Sequence, residues 1–239
     1  MGAVPVPSEV GGYVLAGGKS SRMGRDKALL ELAGEPLVRH AVKKLRRVCM
    51  DVHVLSDNPE LAGYAPLVPD IHPDCGPMGG MEAALAHSIF EWNLFLPVDM
   101  PFLPSAFISS WLRNWLHEED RGARIRMFKV DGRPQPGFCL VHRDVLPFLT
   151  AALERGDFKL MIVFEEAGRE LALRRGFLPG AGLWNVPMNG FRATRGKGRK
   201  EDWCYTTDAQ QEAQSLWFAN LNTPEEFAEA ERHLDALDT

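Results

Sequence analysis

The segment Leu15-Ala16-Gly17-Gly18-Lys19-Ser20-Ser21-Arg22-Met23-Gly24-Arg25-Asp26-Lys27 brings two adjacent glycines and several cations into one short stretch. Glycines lack a Cβ, so their backbone can approach a phosphate closely and turn N–H groups onto it. Arg22 suits bidentate contact with phosphate oxygens, and Lys27 adds a compact positive charge. The chemistry on offer is the holding of a triphosphate. The glycine spacing fits neither a Walker A loop nor a dinucleotide fingerprint. A glycine turn with basic neighbours also suits an ordinary surface loop, and the residues alone leave both readings open.

Asp99 closes the apolar run Leu94–Val98 and precedes Met100-Pro101. An aspartate there can cap a helix or a turn. If the strand end faces the triphosphate site, its carboxylate instead suits Mg²⁺, a hard cation that prefers oxygen ligands. Pro69-Asp70, followed by Gly76-Pro77-Met78-Gly79-Gly80, reads as a loop and a helix start. Near the far end stands Asn220-Leu221-Asn222-Thr223-Pro224-Glu225-Glu226. A capping box accounts for Thr223 and Glu226, and Pro224 fits the first helical position. That leaves Asn220 and Asn222 unexplained, or simply turn-forming. The basic run Arg192, Arg195, Lys197, Arg199 and Lys200 reads as solvated loop charges, or as a flap over a second anionic substrate. The histidines form no HxxxH or HxE constellation.

These residues need elements to carry them. Gly12-Tyr13-Val14-Leu15, Val52–Leu55 and Asn93–Val98 are short apolar runs of the kind that form buried parallel strands. Between them, Leu37, Val38, Ala41, Val42, Leu45 and Val48 have helical spacing, as do Met81, Ala84, Leu85 and Ile89. Leu67-Val68 adds a short extended piece, and a further helix carries Phe107, Ile108, Trp111, Leu112 and Trp115. Alternating strands and helices imply βαβ units and a three-layer α/β/α fold around a mostly parallel sheet. Ligands of such sheets sit beyond the carboxyl ends of the strands, where Gly17 and Asp99 both fall. Residues 124–130 and 138–142 read as further strands and 144–153 as a helix. The stretch 176–215 shows no period and is rich in glycine, so an irregular, basic insertion is expected there within a single domain spanning 1–239.

Composition sets the outer bounds. With 45% hydrophobic and 25% charged residues, the chain of 239 residues can fill a core. A net charge of −5 gives no general attraction to nucleic acid or an anionic membrane. Cys49, Cys75, Cys139 and Cys204 contain no CxxC pair and argue against a zinc cluster or a disulfide framework. The start of the chain has neither a basic n-region nor a sustained apolar run, so a cytoplasmic setting is expected.

The first segment resembles the LAGG-x-S-x-RMG-x-DK signature of nucleotidyltransferases typified by molybdenum cofactor guanylyltransferase. It agrees at Leu15, Ala16, Gly17, Gly18, Ser20, Arg22, Met23, Gly24, Asp26 and Lys27. The resemblance implies that Asp99 is the family's metal-binding aspartate, and that Asp70 with the Gly76–Gly80 turn lines the base and ribose pocket. Met78 stands where the family usually has leucine. Asn220 and Asn222 match asparagines that point into the active site, where Asn222 would orient the substrate or complete a metal shell. The implied reaction transfers GMP from GTP to the phosphate of molybdopterin, with Mg²⁺ as cofactor and Arg22, Lys27 and Asp99 as catalytic groups. Molybdoenzyme apoproteins or their chaperones are the implied protein partners. Related cytidylyltransferases commonly read LAAG at this loop, so LAGG favours guanine. A cytidylyltransferase, a sugar-phosphate nucleotidyltransferase and a non-enzymatic nucleotide-binding protein remain the alternatives.

Overall fold

The computed structural model describes residues 8–17, 26–116, 122–187 and 206–238. Its frame is a seven-stranded sheet in the order β5-β4-β1-β6-β8-β7-β9. The strands are β1 (Ser8–Leu15), β4 (Cys49–Leu55), β5 (Leu67–Val68), β6 (Trp92–Pro97), β7 (Ile125–Val130), β8 (Arg133–His142) and β9 (Leu183–Pro187). A separate two-stranded ribbon joins β2 (Glu31–Leu32) to β3 (Glu35–Pro36). β5, β4, β1 and β6 run parallel, as do β7 and β9, and only β8 opposes its neighbours. The expected mostly parallel α/β sheet is the one observed.

Side chains alternate along each strand and so divide the core between the two faces. Val14, Leu94 and Leu96 point into one cluster, with α1 (Leu37–Leu45), α3 (Ser105–Leu116) and Ala230 of the helix Pro224–Ala230. Tyr13 and Phe95 point into the other, with α2 (Pro77–His87), α4 (Leu146–Glu154) and α5 (Leu160–Arg174). α1 shows why this works: Leu37, Val38, Ala41, Val42 and Leu45 form one buried stripe.

Two differences from the sequence reading stand out. Residues 160–174, for which no element is expected, form α5, which buries Val163, Phe164, Ala167 and Leu171. Within 176–215, expected to be irregular, Leu183–Pro187 is an edge strand and Asp208–Glu212 a helix started by a Thr207–Gln210 capping box. The strand pairs in parallel with β7, and α5 and the chain just before β9 touch backbone to backbone. A Cβ on Gly182 would lie 1.7 Å from the carbonyl oxygen of Gly168.

Candidate nucleotide site

The parallel registers Leu15↔Leu55 and Leu15↔Pro97 bring the carboxyl ends of β4, β1 and β6 level with one another. The segments that leave these strands therefore share one edge of the sheet. Between them opens a cavity of about 510 Å³. Its walls include Leu15, Ala16 and Gly17 at the end of β1, Asp70 from the loop after β5, and Gly76 and Gly80 around the start of α2. These expected residues are brought together. Gly18 and Arg22 lie outside the described residues, as does the basic run Arg192–Lys200.

The glycines serve different purposes. Among the described residues, a Cβ on Gly17 would meet only the Leu55 carbonyl oxygen, at 3.7 Å, an ordinary contact distance. Its absent side chain leaves room for a ligand. Gly76 precedes α2 at φ +62°, a conformation that L side chains rarely adopt. Gly79 is forced by close approach, since a Cβ would lie 2.7 Å from the His72 carbonyl oxygen.

Asp26, Ser56, Asp57, Asn58 and Asp74 also line the cavity, although nothing in the sequence marks the last four. Asp26 is a structural clasp. One carboxylate oxygen accepts from the Ala28 N–H at 2.9 Å and the other from Asn58 Nδ2 at 2.7 Å. The turn that bears Lys27 is thereby tied to the end of β4. Asp70 is the electrostatic outlier of the cavity. Burial, followed by repulsion from Asp57, Glu82 and Asp74, pushes its carboxyl up to about 6. Glu82 itself is buried and fully engaged, with His72 Nδ1 at 2.6 Å and Thr150 Oγ1 at 2.7 Å. That pair of contacts pins the loop carrying Asp70 to α2 and α4.

Lys27, Asp99 and Asn222 form the second half of the site. The Lys27 ammonium pairs with the Asp99 carboxylate and donates to Asn222 Oδ1 at 2.6 Å. The Leu221 N–H donates to the Asp99 carbonyl at 3.1 Å, so the C-terminal segment is stitched directly to the end of β6. Asn222 is held by the expected capping box. Thr223 Oγ1 accepts from the Glu226 N–H, and Glu226 Oε2 accepts from the N–H groups of Thr223 and Asn222. Asn220 offers its backbone carbonyl to Asn222 Nδ2 at 3.3 Å. Asp99 and Asn222 present hard oxygen donors around one cation, the lysine ammonium. Among the described residues no group of three His, Cys, Asp or Glu could hold a metal on its own. A divalent ion here would need phosphate oxygens or water to complete its shell, a common arrangement for Mg²⁺.

The sequence signature of the MobA-like NTP transferase domain matches residues 12–170. The chain belongs to that family. Molybdenum cofactor guanylyltransferase of Vibrio cholerae is 35% identical over 164 residues, covering 67% of this chain and 79% of the relative. The protein of the same name from Serratia proteamaculans is 35% identical over 167 residues, covering 67% and 81%. Among solved structures, molybdopterin-guanine dinucleotide biosynthesis protein A of Archaeoglobus fulgidus superposes with a TM-score of 0.67 at 21% identity, covering 93% of this chain and 97% of that one. 2-C-methyl-D-erythritol 4-phosphate cytidylyltransferase of Thermus thermophilus gives 0.53 at 13% identity, covering 94% and 98%. At those identities the structural likeness speaks for the nucleotidyltransferase fold. No helix among the described residues is long and apolar enough to cross a membrane.

Proposed function

We propose that this chain transfers GMP from GTP to the phosphate of molybdopterin and releases pyrophosphate, in the cytoplasm and with Mg²⁺ as cofactor. The observation that carries the proposal is the junction of Lys27, Asp99 and Asn222 beside a cavity walled by Leu15–Gly17 and Asp70. Relatives 35% identical over about two thirds of this chain bear the guanylyltransferase name.

Each group has a role that follows from its chemistry. The open backbone at Gly17 lets the nucleotide lie against the end of β1. Ionised Asp70 accepts from the N1–H and N2–H₂ donors of guanine. Lys27 exchanges its carboxylate partner for phosphate oxygens and neutralises charge that grows on the leaving pyrophosphate. Arg22 supplies a second cation from the same loop. Asp99 and Asn222 would hold Mg²⁺, which supplies charge neutralisation and alignment of the phosphates when bound. The acceptor phosphate is already anionic at neutral pH, so positioning replaces activation by a base. Product hand-over to molybdoenzyme apoproteins or their chaperones completes the proposal.

The test is a pyrophosphate-release assay with each nucleoside triphosphate, with and without molybdopterin. Release that requires both GTP and molybdopterin supports this reading. Equal release with CTP points to a cytidylyltransferase, and release independent of molybdopterin to another acceptor.

A further inference from the structure

The turn that follows β6 carries Asp99 on one side and is buried on the other, where Met100, Phe102 and Leu103 enter the core. Beneath it lies a charged group with no part in the chemistry above. Lys44, on the inner face of α1, is 1% exposed, and its Nζ donates to the Pro101 carbonyl oxygen at 2.8 Å. Asp238 Oδ2 stands 3.7 Å from that ammonium and accepts from the Ser105 N–H at 2.8 Å. Asp238 Oδ1 accepts from Gln210 Nε2 at 3.0 Å. Lys44 and Asp238 thus grip both ends of the segment between Pro101 and Ser105. From the other direction, the Leu221 N–H holds the Asp99 carbonyl.

Burial drives the Lys44 pKa down, and Asp238 opposes that drive. Against the upward push of burial, Lys44 and the Ser105 N–H hold the Asp238 carboxyl below its ordinary value. Buried ion pairs of this kind are often no more stabilising than apolar side chains of similar volume. Stability alone is therefore a weak account of a lysine at this position. Its aim is more informative, because the carbonyl it holds lies two residues beyond Asp99.

We propose that Lys44 is a positioning residue for Asp99. By fixing the Pro101 carbonyl it sets where the Asp99 carboxylate stands relative to Lys27 and Asn222. The inference rests on the reading of Asp99 as the carboxylate that holds the divalent cation. Lys44 touches neither nucleotide nor metal and acts only through the turn.

The experiment compares Lys44→Met, Asp99→Asn and the double variant, using Mn²⁺ as a spectroscopic stand-in for Mg²⁺. Mn²⁺ binding in the presence of GTP is measured by electron paramagnetic resonance, and turnover separately. Lys44→Met should fold, bind Mn²⁺ several-fold more weakly and lose about tenfold or more in kcat, as expected when a reacting group is misplaced. The KM for GTP should stay within about twofold. In the Asp99→Asn background the same substitution should add no further loss of either kind. Losses that multiply in the double variant, or wild-type Mn²⁺ binding by Lys44→Met, would overturn the proposal. If Asp99→Asn alone matches wild type, the reading of Asp99 itself is at fault, a separate and recognisable result. Should Lys44→Met fail to fold, Gln210→Leu frees Asp238 Oδ1 without removing a charge and goes through the same cycle. Coupling to Asp99→Asn then supports the proposal and additivity overturns it.

Discussion

Lys27 and Asn222 are 195 positions apart in the chain, and their side chains meet at 2.6 Å. The lysine opens the short 3-10 turn Lys27–Leu29, and the asparagine lies at the capped start of the helix Pro224–Ala230. Lys27→Ala should reduce nucleotidyl transfer by about 10²-fold or more, the usual scale for losing a charge contact in the transition state. Circular dichroism and the unfolding midpoint should change little, because the pair is partly open to solvent. Transfer within about threefold of wild type would remove Lys27 from the mechanism.

Asp99→Asn keeps the shape of the side chain and removes its charge. Turnover and apparent Mg²⁺ affinity should fall together, because one hard ligand is lost. A Mg²⁺ titration of the steady-state rate checks this. Full rate at the wild-type Mg²⁺ concentration would make Asp99 a turn residue and nothing more.

Asp70 gives a pH dependence with a definite sign. Its folded pKa, about 6, is raised from an ordinary 3.8, so folding favours the protonated form. The stabilising contribution is complete below the ordinary value and is lost as pH climbs through about 6. Under the proposed function, guanine recognition by Asp70 runs the other way, because only the ionised carboxylate is a pure acceptor. GTP affinity should rise over the window in which the empty protein loses stability. Asp70→Asn should flatten both trends. Thermal unfolding with and without GTP, from about pH 4.5 to about pH 7.5, reads the two together, and identical slopes in wild type and variant would contradict it.

The proposed function assigns base choice to the same wall of the cavity. With Mg²⁺ present, GTP should raise the unfolding midpoint at concentrations where CTP and ATP do not. Protection by CTP to the same extent would shift the assignment to cytidylyl transfer.

Gly182→Ala tests the packing of the far edge of the sheet. The new methyl would collide with the backbone of Gly168, which has no flexible end to move aside. A loss of stability on the order of 3 kcal/mol is expected, at the upper end for overpacking. Chemical denaturation measures it, and a change below about 0.5 kcal/mol, the range of surface substitutions, would show that the contact relaxes.

Much of the site was legible because its residues sit at the ends of strongly patterned elements. Gly17 and Asp99 each stand two residues beyond an apolar strand, and Thr223 and Glu226 announce a helix start, so their neighbours could be placed from the chain alone. Ser56, Asp57 and Asn58 were not legible. They follow a strand as any polar loop would, and only the pairing of β4 with β5 sets them opposite Asp70. α5 was hidden because Leu160-Met161-Ile162-Val163-Phe164 is unbroken apolar sequence that masks the helical period. The turn between β7 and β8 was readable in principle. Asp131-Gly132 takes φ values of 47° and 79°, positive at both positions as a tight hairpin requires. Lys44 looks like any lysine on a helix, since its partner Asp238 is remote in sequence and near only in the fold.

The contact between Lys27 and Asn222 also has a meaning during synthesis. Ribosomes add about 5–20 residues per second, so Lys27 and Asp99 are made on the order of ten seconds before Asn222. Through that interval the growing chain holds the strands that wall the cavity, while Lys27 has Asp99 but not yet the asparagine. The junction is therefore completed late in translation: a nascent chain shorter than 222 residues has yet to acquire the last of these three side chains, however well the strands around it have already paired.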